Sequence, residues 1–163
     1  MKRYIKSAVK PLSEEPNHIR MDWAVDDDTD SYMLDILSKD PDHYIRSEVA
    51  NHKNTSAETL SKLASDESNT VRIEVARNPN TPIEVLKMLM KSTNNDIRQS
   101  VAHNRSSTAE ILRYLSDDPA RMVRYEVCMN SNRPLDVLKK LANDSEKVVS
   151  YNASYILQHH YNG

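Results

Sequence analysis

Apolar side chains return along this chain at a fixed spacing of 26 residues. Leu37, Leu63, Leu89, Leu115 and Leu141 form one column, and Leu34, Leu60, Leu86, Leu112 and Leu138 form another. Ile19, Ile45, Val71, Ile97, Val123 and Val149 form a third; Trp23, Val49, Val75, Val101, Val127 and Ala153 form a fourth. The next column holds small residues: Ala24, Ala50, Ala76, Ala102, Cys128 and Ser154. Self-similarity without an insertion marks a repeat protein.

Each unit reads as two short helices. Val85, Leu86 and Leu89 cluster as one buried face of the second helix. Val71, Val75 and Ala76 mark the inward side of the first, which is expected to stop near Asn78, because Pro79 disfavours a helical conformation in the residue before it. With so little glycine available, Asn78, Asn104 and Asn130 are expected to close the first helices in the left-handed conformation. The second helices are expected to open on capping boxes, Thr55 to Glu58, Thr81 to Glu84 and Ser107 to Glu110. There the first hydroxyl accepts from an amide and the Glu reaches back. Pro82 and Pro134 would occupy the first helical position, where a missing N–H costs nothing.

One hairpin cannot bury its apolar face alone, so neighbours must stack. The expected fold is all-α, an α-solenoid forming a single domain over residues 1–163. Its units are 14–38, 40–64, 66–90, 92–116 and 118–142, with partial helical caps at 2–12 and 146–160. Tyr4 to Leu12 reads as an orphan second helix, and Val148 to Gln158 as a longer first helix.

The motif Val71-Arg72-x-x-Val75-Ala76-x-Asn78-Pro79-Asn80-Thr81-Pro82-x-Glu84-x-Leu86-x-x-Leu89 resembles the leucine-rich repeat variant family, within the wider HEAT-like group of helical repeats. It recurs in degraded form over about residues 14–154. The resemblance implies a right-handed superhelix in which one helix of each pair is of the 3₁₀ type. The longer period here leaves room for a true α-helix. Some relatives of that family carry a cysteine-ligated iron–sulfur cluster ahead of the repeats. Cys128, alone in a core column, does not match it, so no cofactor is carried over.

Composition narrows the chemistry. The only Gly among 163 residues is Gly163, which excludes glycine-dependent phosphate loops. One Cys excludes a disulfide framework or zinc knuckle within the chain. The balance of 22 Lys+Arg against 24 Asp+Glu disfavours nucleic acid as a partner. No apolar run reaches the ~20 residues of a membrane span, and the basic start lacks a signal-peptide core. The expectation is a cytoplasmic protein without a membrane partner. Asp26-Asp27-Asp28-Thr29-Asp30 resembles a cation loop, but Ser31 and Leu37 stand where Gly and Glu belong. Those acids are expected to cap a helix starting near Asp30. His18, His43, His52 and His103 lack zinc-helix spacing, and His159-His160 lacks a carboxylate or thiol partner. No metal site and no catalytic constellation follow.

Three surface features remain. Arg20, Arg46, Arg72, Arg98 and Arg124 form a column preceded six residues earlier by Glu14, Asp40, Asp66, Ser92 and Asp118. The favoured reading is a structural ladder between units rather than a basic track. Lys87, Arg113 and Lys139 follow Glu84, Glu110 and Asp136 by three, and Lys62 follows Glu58 by four, so that ridge is expected to be neutralised within each helix. The third feature is Met122, Tyr125 and Met129 with Val148, Tyr151 and Tyr155, two triplets in the same columns of the first helices. Earlier units place mostly polar residues there, such as Asp96, Gln99 and His103. An adjoining Met/Tyr patch has the composition of a docking surface. The competing reading is a tail, His159 to Asn162, folded over it. The expected role is therefore non-enzymatic: a scaffold binding another protein. The alternatives are a nucleic-acid-binding protein akin to HEAT-like DNA glycosylases, or an accessory protein that associates with itself.

Overall fold

The computed structural model describes residues 14–160, and among them every regular element is helical. Nine-residue and seven-residue helices alternate: α1 (Asn17–Val25), α2 (Ser31–Leu37), α3 (His43–Asn51), α4 (Ala57–Leu63), α5 (Asn69–Arg77) and α6 (Ile83–Leu89), then α7 (Asn95–His103), α8 (Ala109–Leu115), α9 (Arg121–Met129) and α10 (Leu135–Leu141). The chain closes on the fourteen-residue α11 (Lys147–His160). Both helices of each pair are α-helical. The N-terminal cap expected at 2–12 lies outside the described residues.

Packing follows the repeat. The odd-numbered helices lie side by side in chain order, α1 through α11, and their backbones approach more closely than those of the even-numbered helices. Between the two layers runs one apolar core. Leu34, Leu60, Leu86, Leu112 and Leu138 are fully buried, as are Ile45, Val71, Ile97, Val123 and Val149. Cys128 fills its small-residue position completely, and burial pushes its thiol up to about 11, so it is a packing group here. Trp23 is half-buried against the same core.

The asparagines do something other than the left-handed capping expected of them. Asn78, Asn104 and Asn130 follow the first helices with extended backbone, φ −64, −61 and −66°. The Asn78 side-chain amide donates to the Ala50 and His52 carbonyls at 2.7 and 3.1 Å, while its Oδ1 accepts from the Asn80 amide at 2.9 Å. Asn104 repeats this on Ala76, Asn78 and Ser106, and Asn130 on Ala102, Asn104 and Asn132. Each side chain satisfies a helix-end carbonyl of the preceding unit and adds a second bond to a carbonyl that also accepts from a turn amide. His52 fills the same column with its ring. Nδ1 accepts from the Asn54 amide at 3.1 Å and Nε2 sits 3.0 Å from the Asp26 carbonyl, a pattern that suits the neutral ring with the proton on Nε2. At the corresponding position α11 has Ile156, which packs inward, and that helix runs on.

The capping boxes are displaced by one residue. Ser56 and Thr108 are the caps, accepting from the Thr59 and Ile111 amides, while Pro82 and Pro134 stand at the cap position of α6 and α10. The preceding hydroxyls turn the other way: Thr55, Thr81 and Ser107 donate to the Val49, Val75 and Val101 carbonyls at 2.5–2.6 Å. They are buried, so these bonds fasten the end of each first helix to the turn. Asp30 does cap α2, accepting from the Met33 amide at 2.9 Å.

Candidate docking surface

Two of the three surface features resolve into internal structure. The arginine column forms rungs. Arg46 grips both carboxylate oxygens of Asp66, in the next unit, at 2.7 and 2.9 Å, and also donates to the Asp40 carbonyl. Arg20–Asp40, Arg98–Asp118 and Arg124–Asp144 repeat the pair, each mostly buried. The carboxylate partner thus lies twenty residues after the arginine, and the residue six before it contributes its carbonyl. Burial raises the Asp66 carboxyl, but the Arg46 guanidinium and the Ser68 amide outweigh this and hold it below the ordinary carboxylate range. Asp144 is lowered chiefly by its hydrogen bond to Arg124. Arg72 breaks the series, because Ser92 stands where the carboxylate belongs; its guanidinium bonds the Asp66 carbonyl and Asn69 instead.

The cationic ridge on the second helices is neutralised in part, largely across units rather than within helices, and Lys139 has no ion pair among the described residues. Lys87 lies 2.9 Å from Glu110 against 3.8 Å from its own-helix Glu84. Arg113 pairs with Asp136 of the next hairpin. Lys62 bonds Asp35 and Glu58, both at 3.0 Å. Successive second helices are spaced so that long side chains reach across as readily as along a helix. No group of three or more metal-binding side chains occurs among the described residues. Nor is any helix there long and apolar enough to cross a membrane.

The third feature stays at the surface. Tyr151 is 71% exposed, Tyr155 50%, Met129 and Val148 46%, and Met122 40%. These side chains lie on α9 and α11, which pack against each other. Tyr125 differs: it is half-buried and packs on the core, forming the floor of the patch. α11 continues to His160, so His159 is helical and stacks its ring on Tyr155 at 4.1 Å. Residues 161 and 162 of the suggested tail lie outside the described residues. Other large exposed apolar side chains, such as Tyr32, Tyr44 and Tyr114, stand on other helices.

Beside the patch lies a surface whose polar residues do not stand out in the sequence as a site. A depression of about 790 Å³ runs along the first helices from Asn51 of α3 to Glu126 of α9, with Glu74 and Asp96 on its walls. A second, of about 530 Å³, shares His103 and Glu126 with it and leads to Tyr125 and Met129. Glu126 is held by Gln99 at 3.2 Å and His103 Nδ1 at 3.0 Å. The signal was present in the recurrence of Glu48, Glu74 and Glu126 in one column. It was hidden because the whole chain is nearly neutral.

No family model matches this chain, and no curated protein matches it significantly.

Proposed function

We propose that this chain is a non-enzymatic protein-interaction scaffold. It is a right-handed solenoid of about five two-helix repeats, similar to the leucine-rich repeat variant and HEAT-like proteins, and works in the cytoplasm. The observation that carries the reading is the run of exposed Met, Val and Tyr side chains on α9 and α11. An apolar surface shared by adjoining helices costs solubility unless something docks on it. Methionine and tyrosine suit that task, since both offer large contact area and adapt to a partner's shape.

Self-association through the same patch is the second reading, because one exposed apolar face serves either kind of partner. Light scattering at two concentrations separates them. The test of the scaffold reading is the double variant Met129→Glu plus Tyr151→Glu, which leaves the half-buried Tyr125 alone. Its helical circular dichroism and melting temperature should match the native protein, while affinity capture from native extract should lose the specific partner. Capture that survives both substitutions would remove the patch from the interaction.

A further inference from the structure

The scaffold reading says where a partner docks and leaves its chemistry open. Resting on that reading, we infer that the partner presents an extended cationic segment with apolar residues at one end. Its Lys or Arg side chains lie along the first-helix face of α3 to α9, and its apolar end sits on the Met/Tyr patch of α9 and α11.

The argument is one of charge placed beside shape. Four columns of the first helices lie outside the Ile/Val and small-residue core columns, and they carry Asp22, Glu48, Glu74, Asp96 and Glu126 against a single Lys or Arg, Arg77; the exposed Arg121 and Lys147 stand beside them at the starts of α9 and α11. No lysine occurs in them, although the chain has 22 Lys+Arg and is close to neutral. The imbalance is therefore local to this face. Arg77 is held on Glu74 at 2.9 Å, whereas Glu48 and Asp96 have no ion pair among the described residues. Glu126, fixed by Gln99 and His103, stands where the two depressions join; the second is lined by Arg105 and Asn130 as well as Tyr125 and Met129. Glu74 and Glu126 are thus held in place on a track that leads to the patch, with Glu48 and Asp96 left to pair with an incoming cation.

Geometry sets the length of the occupant. The odd-numbered helices form the more closely packed layer, so the track follows the inner side of the stack. With helix axes ~10 Å apart, the path from α3 to α11 covers about 40 Å, and an extended segment at ~3.3 Å per residue fills it with roughly twelve residues. A second copy laid symmetrically on this track would set carboxylate against carboxylate, which disfavours it. A phosphate backbone meets the same repulsion.

The test uses the full chain and a fluorescent synthetic peptide of alternating lysine and serine ending in Leu-Tyr-Leu, with a counterpart in which glutamate replaces lysine. Anisotropy should show the lysine peptide binding at least ~10-fold more tightly than the glutamate one, and weakening as salt rises. The isosteric variant Glu48→Gln, Glu74→Gln, Asp96→Asn should lose about 10-fold. Met129→Ser plus Tyr151→Ser should also weaken the lysine peptide. Equal binding of the two peptides, or unchanged binding by the neutralised variant, overturns the inference. A dimer that dissociates in the Met129/Tyr151 variant assigns the patch to a second copy and likewise overturns it. If a captured natural partner is lost with Met129 and Tyr151 but kept by the neutralised variant, the scaffold reading stands and the cationic partner falls.

Discussion

Asn104 closes a helix, ties two units together and bridges a turn with one side chain. Its amide donates to the Ala76 and Asn78 carbonyls at 2.7 and 3.0 Å, and its oxygen accepts from the Ser106 amide at 2.7 Å. It is buried, so losing it strands the Ala76 carbonyl away from water and leaves the Asn78 carbonyl with the Thr81 amide alone. The backbone there is extended, so glycine gains nothing from its freedom at positive φ. Asn104→Gly is accordingly expected to destabilise by about 2 kcal/mol, the cost of one unsatisfied buried carbonyl at roughly 1–3 kcal/mol together with the lost bonds to Asn78 and Ser106. A left-handed cap would make the same change neutral or stabilising. Urea unfolding of the single variant decides between the two.

Between elements, the aspartate column does double duty. Oδ1 of Asp66 accepts from the Ser68 amide at 2.8 Å while the carboxylate also takes Arg46; Asp118 does the same with Ala120 and Arg98. Ser92 keeps only the first role, its hydroxyl accepting from the Asn94 amide at 3.2 Å. Ser92→Asp should keep the turn and supply Arg72 with the missing carboxylate between α5 and α7. The expected gain is up to ~1 kcal/mol, since the pair would be partly solvated. Calorimetry on the variant, with Ser92→Asn as the uncharged control, measures it. A melting point no higher than the control's would mean that Arg72 stays on Asn69.

At the scale of the molecule, each unit touches mainly its neighbours, so stability is a sum over interfaces. Several interfaces include a carboxylate titrating below its ordinary range, among them Asp66 and Asp144. A folded-state pKa below the unfolded one means that the unfolded chain binds more protons as pH drops. The stabilisation is present above the ordinary carboxylate range, near pH 4, and is lost as pH falls through the folded-state values. The melting temperature should hold from pH 7 to about 5 and drop steeply below about 4. Asp144→Asn should lower it at neutral pH and flatten the acid decline. An unchanged slope would show that this rung contributes nothing to acid sensitivity.

The sequence by itself determined the helices and their order. Leucine and valine columns at a constant spacing specify which face of each helix is buried, and burial of apolar area is additive and largely indifferent to geometric detail. The exposed Met/Tyr columns were legible for the same reason, apart from Tyr125, whose ring turns in beneath its neighbours. What only the tertiary structure decided is the direction of polar side chains. Thr81 could cap the helix ahead or bond the carbonyl behind, Asn78 could bend its own backbone or reach into the preceding unit, and Lys87 could pair along its helix or across to the next. Hydrogen bonds and ion pairs are directional and short-ranged, so each choice depends on where a neighbouring unit sits, and that position exists only once the stack has formed.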